Sequence, residues 1–477
     1  MNKFYVTTSI PYVNAAPHIG HALEFIQADV LARFYRQKKD DVFFLTGTDD
    51  HGLKVAKAAE KAGKKPKEFT DEISQKFKNL KKILNLSNDD FIRTADEIRH
   101  WPTVKKIWEE LENNGDIYKK KYKGLYCVGC EAFIPKKDLI SGKCSVHQKE
   151  LEEVEEENYF LKLSKYLPRI VEIIETDKIR IIPASRKNEI LSMIKQGIED
   201  ISFSRVKERY WGFPVPGDDK QTIYVWCDAL SNYISALDYA NNGSKFKKYW
   251  PADVHCIGKD IIKFHAIYWP AMLLSLGLEL PKNIFVHGFI TVDGEKISKT
   301  IGNVIDPFEI VKKYGTDALR YYLLREIPPT NDGDFTFEKL EERYNSDLAK
   351  GLGNLTARVL ALAQKLTTSH VVNEAVLFEK AIQKAEKNVE KAITDFKFND
   401  ALAEIWRLIA AGDKYIDDKK PWALAPESKE FRENIGSLLF LISKISKLLL
   451  PFLPETSEKI ANAIKNKKSI TLFPRLN

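Results

Sequence analysis

Thr8-Ser9-Ile10-Pro11-Tyr12-Val13-Asn14-Ala15-Ala16-Pro17-His18-Ile19-Gly20-His21 is the stretch on which the fold turns. It follows the short apolar run Phe4-Tyr5-Val6, predicted to be a buried strand. It precedes residues 22–38, where Leu23, Ile26, Val30, Leu31 and Phe34 recur at helical spacing. Two histidines flanking a glycine therefore sit at a strand-to-helix junction close to the start of the chain. A helix N-terminus offers N–H groups and a partial positive charge, which suits phosphate. Gly20 has no side chain, so a flat ligand can lie against the backbone. His18 and His21 can donate hydrogen bonds to phosphate oxygens. The same pattern is also compatible with two ordinary helix-start histidines and no ligand.

A second motif lies far downstream, Asp293-Gly294-Glu295-Lys296-Ile297-Ser298-Lys299-Thr300, after the apolar run Ile284-Phe285-Val286. Two lysines bracket a serine in a polar loop, which taken alone is compatible with a solvated loop. The two motifs together resemble the paired signatures of class I aminoacyl-tRNA synthetases. His18-Ile19-Gly20-His21 matches the first letter for letter. The second departs at Ile297 and Thr300, where the family has Met and Ser, and both exchanges keep the side chain's character.

A chain of 477 residues suggests about three domains, at ~100–200 residues each. Apolar content of 44% allows sizeable cores, and charged content of 30% without low-complexity tracts argues against extended disorder. The net charge of +7 is a mild pointer to a polyanionic partner. No leader is recognisable and no apolar run reaches the ~18 residues of a membrane span, so a cytoplasmic protein is expected. Five cysteines are too few for a disulfide framework, and three of them cluster at metal-ligand spacing.

Along the chain, residues 1–114 alternate short apolar strands with amphipathic helices, the pattern of a parallel α/β sheet. A second strand, Asp41-Val42-Phe43-Phe44-Leu45, ends in Thr46-Gly47-Thr48-Asp49-Asp50-His51-Gly52. Ligands of open α/β sheets sit at the carboxyl ends of strands, which places Asp49 to meet a cation, although an Asp in a turn also serves as a helix cap. Helices are predicted over 54–63, 67–84 and 97–114. From residue 115 the texture changes. Cys127-Val128-Gly129-Cys130 and Cys144-Ser145-Val146-His147 supply three thiolates and one imidazole, a closed tetrahedral set for structural zinc with no position left for substrate. The acidic run 150–157 is expected to be a solvated face of strands balancing the lysines at 119–123. Residues 115–221 read as an insertion. The α/β pattern is expected to resume with a strand at Thr222-Ile223-Tyr224-Val225-Trp226, a helix over 228–239, a strand at Asp253-Val254-His255-Cys256-Ile257 and a last one at 284–286. Cys227 and Cys256 are expected in the core. From about 347 only helical period remains, over 348–366, 374–394, 399–419 and 431–450. This predicts a helical bundle, and it carries five of the net seven positive charges, where an RNA partner would dock.

The expected fold is therefore α/β, a Rossmann-like parallel sheet split by an inserted zinc-bearing module and followed by an α-helical bundle. Its parts are residues 1–114 and 222–290 for the two halves of the catalytic domain, 115–221 for the insertion, 291–346 for the lysine loop and stem-contact region, and 347–477 for the bundle.

Within the class I synthetases, Ile10-Pro11-Tyr12-Val13-Asn14, Trp226-Cys227-Asp228-Ala229, and Ile257-Gly258-Lys259-Asp260 running on to Phe264-His265 and Trp269-Pro270 are similar to the methionyl-tRNA synthetase family. The insertion is too short for the editing module of the branched-chain members. The resemblance implies ATP-dependent activation of L-methionine to methionyl-adenylate and transfer to tRNA(Met), the initiator tRNA included. It implies that His18 and His21 hold phosphates, that Lys296, Ser298 and Lys299 close over the triphosphate with Mg2+, and that adenine and ribose lie near Gly20, Gly258 and Asp260. Asp49 and the Ile10 backbone would take the ammonium. Tyr12, Trp226, Ala229, Tyr233, His265 and Ile267 would enclose the thioether; without the resemblance the aromatic residues among them read as core. Asn354 and Arg358, four apart on one helix face, and Pro421 with Trp422 would read the anticodon, although a Trp in a bundle can equally be buried between helices. With no room for a further C-terminal domain, a monomer is expected. Two rival readings are an RNA-binding protein on an inactive synthetase scaffold and a synthetase for cysteine or leucine.

Overall fold

The structure, a computed structural model, describes residues 2–129, 132–134, 139–145, 148–207, 210–297, 302–366 and 376–476. Cys130, His147, Ser298 and Lys299 lie outside the described residues, as does the side chain of Lys296. The chain forms two compact units, one of Met1–Pro17, Lys38–Lys81 and Ser87–His287, the other of His18–Gln37, Lys82–Leu86 and Gly288–Asn477.

The first unit is built on a six-stranded sheet in the order Asp90–Arg93, Asp41–Thr48, Lys3–Thr8, Val254–Gly258, Asn283–His287, Arg180–Ile182, with every pair parallel. The central strands are apolar on both faces and buried almost throughout, as strands covered on two sides must be. Helix Pro66–Ile83 shows the complementary logic. Phe69, Ile73, Phe77 and Leu80 fall on one stripe and are buried, while its lysines and glutamates face outward. The chain enters the sheet in its middle and winds one way through Asp41–Thr48 and Asp90–Arg93. It later returns beside the first strand and winds the other way. The order therefore reverses between Lys3–Thr8 and Val254–Gly258, where strand ends diverge and leave a crevice.

The parallel sheet, the short helices around it and the C-terminal helical bundle agree with the expected fold class. Three details differ. The run at 222–226 does not add a parallel strand: Asp218–Ile223 pairs antiparallel with Ser204–Val206 and Pro214–Val215. The chain then turns into helix Val225–Leu230, so Trp226 and Asp228 are helical. The sheet instead gains Arg180–Ile182, three residues from within the stretch expected as an insertion. Asp90–Arg93 is a strand just ahead of helix Trp101–Asn113, which begins later than predicted because the Asp96 carboxylate accepts from the Ile98 and Arg99 amides in the intervening turn. In the inserted region Ile117–Cys127 and Glu152–Leu161 form a long antiparallel ribbon. Its alternation meets the expectation of a charge-balanced face in part: Lys123 pairs with Glu153 at 3.1 Å on the exposed side, whereas Glu156, two residues after Val154, points inward with it and is buried. Cys227 and Cys256 are both fully buried.

The second unit contains helix Ile19–Gln37, a small sheet of Glu295–Lys296, Ile290–Val292 and Gly333–Phe335, and the bundle. Arg320, with no exposed surface, donates to the carbonyls of Leu84, Pro451 and Phe452 and lies 2.8 Å from Asp29 on the first helix. Satisfying every arm of a buried guanidinium in this way pins four segments; removing one partner would leave a charge stranded. The bundle helices are Asn354–Ala363, Val376–Thr394, Phe398–Lys419, Lys429–Leu449 and a further one, Pro454–Asn466, whose proline start hid it from the periodicity. Phe398–Lys419 buries Ala401, Leu402, Ile405, Leu408, Ile409, Gly412 and Ile416. A Cβ at Gly412 would come within 2.9 Å of Leu441 and 3.0 Å of Leu355, so glycine there sets how closely three helices approach. Among the described residues no helix is long and apolar enough to cross a membrane.

Candidate active site

Two strand ends of the first unit build the site. The chain leaves Lys3–Thr8 through Ser9, whose amide donates to the Cys256 carbonyl, and runs on to Tyr12, which pairs with Asp49 as an isolated bridge. The Asp49 amide donates to Pro11 and the Val13 amide donates to Asp49. Asp49 thus sits just past Asp41–Thr48, beside Tyr12, with Ile10 two residues before it. The Asp49 side chain is buried. Its Oδ1 accepts from the His51 amide at 3.2 Å and the Thr94 hydroxyl at 3.3 Å. Burial, and then the nearby charge of Asp228, push its carboxyl well above the ordinary range. No cation of the described residues is among the causes acting on this carboxyl, and a bound ammonium would favour its ionised form.

The apolar wall comes from elsewhere in the chain. Helix Val225–Leu230 brings Trp226 and Ala229, and Asn232–Ser235 brings Tyr233. A single π-helical turn, Phe264–Tyr268, brings His265 and Ile267, a distortion frequent at functional sites. Trp226 stacks on Phe264 with ring centroids 3.6 Å apart and lies edge-on to Tyr12 at 6.3 Å and to His265 at 6.4 Å. The Tyr233 hydroxyl is 2.8 Å from His265 Nε2, while His265 Nδ1 is 3.0 Å from the Ile261 carbonyl. A neutral His265 that donates through Nδ1 therefore accepts at Nε2 from Tyr233. Ile10, Tyr12, Trp226, Tyr233 and Ile267 all belong to one apolar cluster. All eight residues expected around the amino acid thus fall in this unit. Gly258 ends the strand Val254–Gly258, and Asp260 follows, exposed, in a short 3-10 turn.

Sequence reasoning missed the network under this wall. Asp228 Oδ2 lies 2.6 Å from His51 Nδ1, and its Oδ1 lies 2.9 Å from His100 Nε2. All three are buried. Burial would raise the Asp228 carboxyl, but the two imidazoles hold it down at about 2. His255 is a further buried histidine, 2.7 Å from the Thr7 hydroxyl; burial, then His265, lower its pKa well below the ordinary value. His51 was visible beside Asp49, but nothing local marks its partners.

His18, Gly20 and His21 belong to the second unit, at the start of Ile19–Gln37. The imidazoles stack at 3.8 Å, the His18 amide donates to His21 Nδ1 and the Gly20 amide donates to His18 Nδ1, both at 3.1 Å. A Cβ at Gly20 would lie 2.9 Å from His18 Cε1, so glycine keeps that ring where it is. In the same unit, the hairpin carrying Lys296 turns at Asp293 and Gly294, both at positive φ, and Asp334 Oδ1 anchors it by accepting from the Thr291 hydroxyl and the Gly294 amide.

In the bundle, Asn354 is exposed and Arg358 is partly buried on the same helix. Helix Phe398–Lys419 ends where Lys420 turns left-handed, and Pro421–Ala423 follows as a 3-10 turn. Pro421 is buried; Trp422 is 48% exposed, so it is not a core residue between helices. The Arg358 guanidinium lies 5.4 Å from the Trp422 ring centre and pairs with Asp417 at 2.6 Å. In the inserted region, Cys127 and Cys144 are buried at strand ends. Cys127 is paired with Ala132, and the Cys144 carbonyl accepts from the Gln148 amide.

Against known families, the model described as tRNA synthetases class I (M) matches residues 4–150 and 134–360, and that described as the anticodon-binding domain of tRNA ligase matches 377–476. The chain is 44% identical over 472 residues to the methionine–tRNA ligase of Thermotoga maritima, covering 96% of this chain and 74% of that protein. It is 46% identical over 475 residues to that of Clostridium tetani, with the same coverage of 96% and 74%. Among solved structures, Mycobacterium tuberculosis methionyl-tRNA synthetase in complex with methionyl-adenylate superposes with a TM-score of 0.92 at 36% identity, over 100% of this chain and 99% of that one.

Proposed function

The chain belongs to the methionyl-tRNA synthetases, methionine–tRNA ligases of class I, and from that premise we propose how its residues share the work. ATP and L-methionine give methionyl-adenylate and pyrophosphate, and the aminoacyl group then passes to tRNA. The methionine carboxylate is already ionised near neutral pH, so adenylate formation needs no general base. Catalysis consists of positioning the attack on the α-phosphorus and neutralising charge that grows on phosphate oxygens.

The observation that carries the reading is one buried carboxylate, Asp49, at a strand end of the same unit as an apolar cluster with Tyr12, Trp226 and Tyr233, against which the buried His265 lies through Trp226 and Tyr233. Asp49 and the Ile10 backbone take the ammonium. Tyr12, Trp226, Ala229, Tyr233, His265 and Ile267 enclose the thioether, whose polarizable sulfur packs well against ring edges. His18 and His21 hold phosphate through their side chains at the start of helix Ile19–Gln37, where the glycine at 20 leaves room for the His18 ring. Gly258 and Asp260 take adenine and ribose. Lys296, Ser298 and Lys299 close over the triphosphate with Mg2+, which neutralises phosphate charge. Asn354, Arg358, Pro421 and Trp422 read the anticodon. The domain limits are those expected at 114, 221, 290 and 346.

Zinc is held by Cys127, Cys130, Cys144 and His147. The two described cysteines support this fit, being buried at strand ends. Four ligands would close the shell, so the metal would tie the segments of Cys127 and Cys144 together and take no part in the chemistry. ATP–pyrophosphate exchange with each of the twenty amino acids tests the reading. Methionine should support exchange far above the rest. Equal exchange with leucine or cysteine, or none with any, would reject it.

A further inference from the structure

We propose that Asp228 is a positioning residue for methionine activation: clamped between His51 and His100, it fixes the segment carrying Asp49 against the helix carrying Trp226 and Ala229. The inference rests on Asp49 being the ammonium anchor. Four contacts make the clamp. The Asp228 carboxylate sits on the helix of the apolar wall and meets His51 at 2.6 Å. The His51 amide in turn donates to Asp49 Oδ1 at 3.2 Å. On the other side Asp228 meets His100 at 2.9 Å, and His100 Nδ1 lies 2.8 Å from the Ser235 hydroxyl on the neighbouring helix that carries Tyr233. One buried carboxylate thus holds the ammonium end and the side-chain end of the amino-acid site at a fixed separation. Core packing alone does not call for this, because a buried ionic group is often replaceable by apolar residues at no cost in stability.

The clamp also has an electrostatic consequence. The charged and titratable groups facing Asp49 are Asp228, Asp50 and, through its backbone, His51; Asp50 is itself paired with Arg93 at 3.0 Å. Those facing Asp228 are His51, His100, Asp49 and the Cys227 thiol. Asp228 therefore adds negative charge beside Asp49, which favours a cation there and makes Asp49 harder to ionise in its absence.

The test measures pyrophosphate exchange by the full chain with Asp228→Asn, His100→Leu and Asp49→Asn. Asp228→Asn should raise KM for methionine about tenfold or more with KM for ATP within about twofold, and His100→Leu several-fold in the same direction. In Asp228→Asn the acid limb of kcat/KM for methionine should also move to lower pH, because Asp49 loses a like-charged neighbour. Circular dichroism and active-site titration establish the folded fraction. Either Asp228→Asn or His100→Leu, folded and with parental KM for methionine, would overturn the proposal; if Asp228→Asn does not fold, His100→Leu decides. Asp49→Asn separates the two readings. Should it leave methionine KM unchanged, the anchor and the clamp both fall. Should it raise KM while Asp228→Asn does not, the clamp alone falls.

Discussion

Replacing Trp422 by Ala tests whether the bundle reads an unstacked base. The ring is 48% exposed, and the turn that carries it begins at the left-handed Lys420 and the buried Pro421. Truncation should therefore leave the turn in place. The structural loss is mainly the contact with Arg358 at 5.4 Å, about 0.5–1 kcal/mol for an exposed cation–π pair. The functional loss is larger, since stacking of a base on an aromatic face is worth about 1–3 kcal/mol. That corresponds to a fall of roughly five- to 150-fold in kcat/KM for tRNA. The assay is aminoacylation at subsaturating tRNA run beside tRNA-independent pyrophosphate exchange, with circular dichroism as the folding control. Exchange should keep its parental rate. A folded Trp422→Ala protein that charges tRNA at the parental rate would refute the stacking role. One that loses exchange in parallel would show that the effect is not confined to anticodon reading.

Lys299→Ala should slow adenylate formation by about 3 kcal/mol in the transition state while methionine affinity holds, because a loop lysine acts on charge that develops during pyrophosphate departure; single-turnover kinetics with equilibrium binding separates the two. Cys144→Ser should lower bound zinc from about one per chain and loosen the inserted ribbon, since metal binding is coupled to local folding; metal analysis and limited proteolysis read this, and a parental protein without zinc but with an intact ribbon would contradict it. Asp413 supplies a pH prediction. Burial, opposed by Arg358 and reinforced by Asp417, raises its carboxyl from 3.8 to about 6. Between those values the folded state binds more protons than the unfolded, so this group's contribution to stability falls as pH rises. The Tm gained by Asp413→Asn over the parent should therefore be larger near about pH 7 than near about pH 4.5; an equal difference at both would show that Asp413 titrates normally.

Much of the architecture was legible because its signals are local. Helical period located most of the bundle helices to within a few residues, since a buried stripe every three to four positions is a property of one segment. Pro454–Asn466 escaped because the prolines on either side of Leu453 read as an end, whereas proline is welcome in a first helical turn. The strand at 222–226 was misplaced for a different reason. An apolar run announces burial but not its partner, and here the partners are Ser204–Val206 and Pro214–Val215, both antiparallel to it. A three-residue strand such as Arg180–Ile182 carries too few residues for any period.

The candidate site divides along the same line. The sequence by itself determined which residue types stand close together along the chain: His18 and His21 about a glycine, Lys296 and Lys299 about a serine, the cysteine spacing, and an Asp just past a strand. Each depends on residues a few positions apart, where backbone geometry alone dictates who can act together. Only the tertiary structure decided that Trp422 faces outward rather than into the bundle, and that helix Ile19–Gln37 is bound through Asp29 and Arg320 into the unit that contains the bundle. It alone decided that Asp228 meets His51 across 177 positions and His100 across 128. The physical reason is the strength of buried electrostatics. A charge removed from water must find its partners wherever the fold brings them, and sequence distance places almost no restriction on that choice.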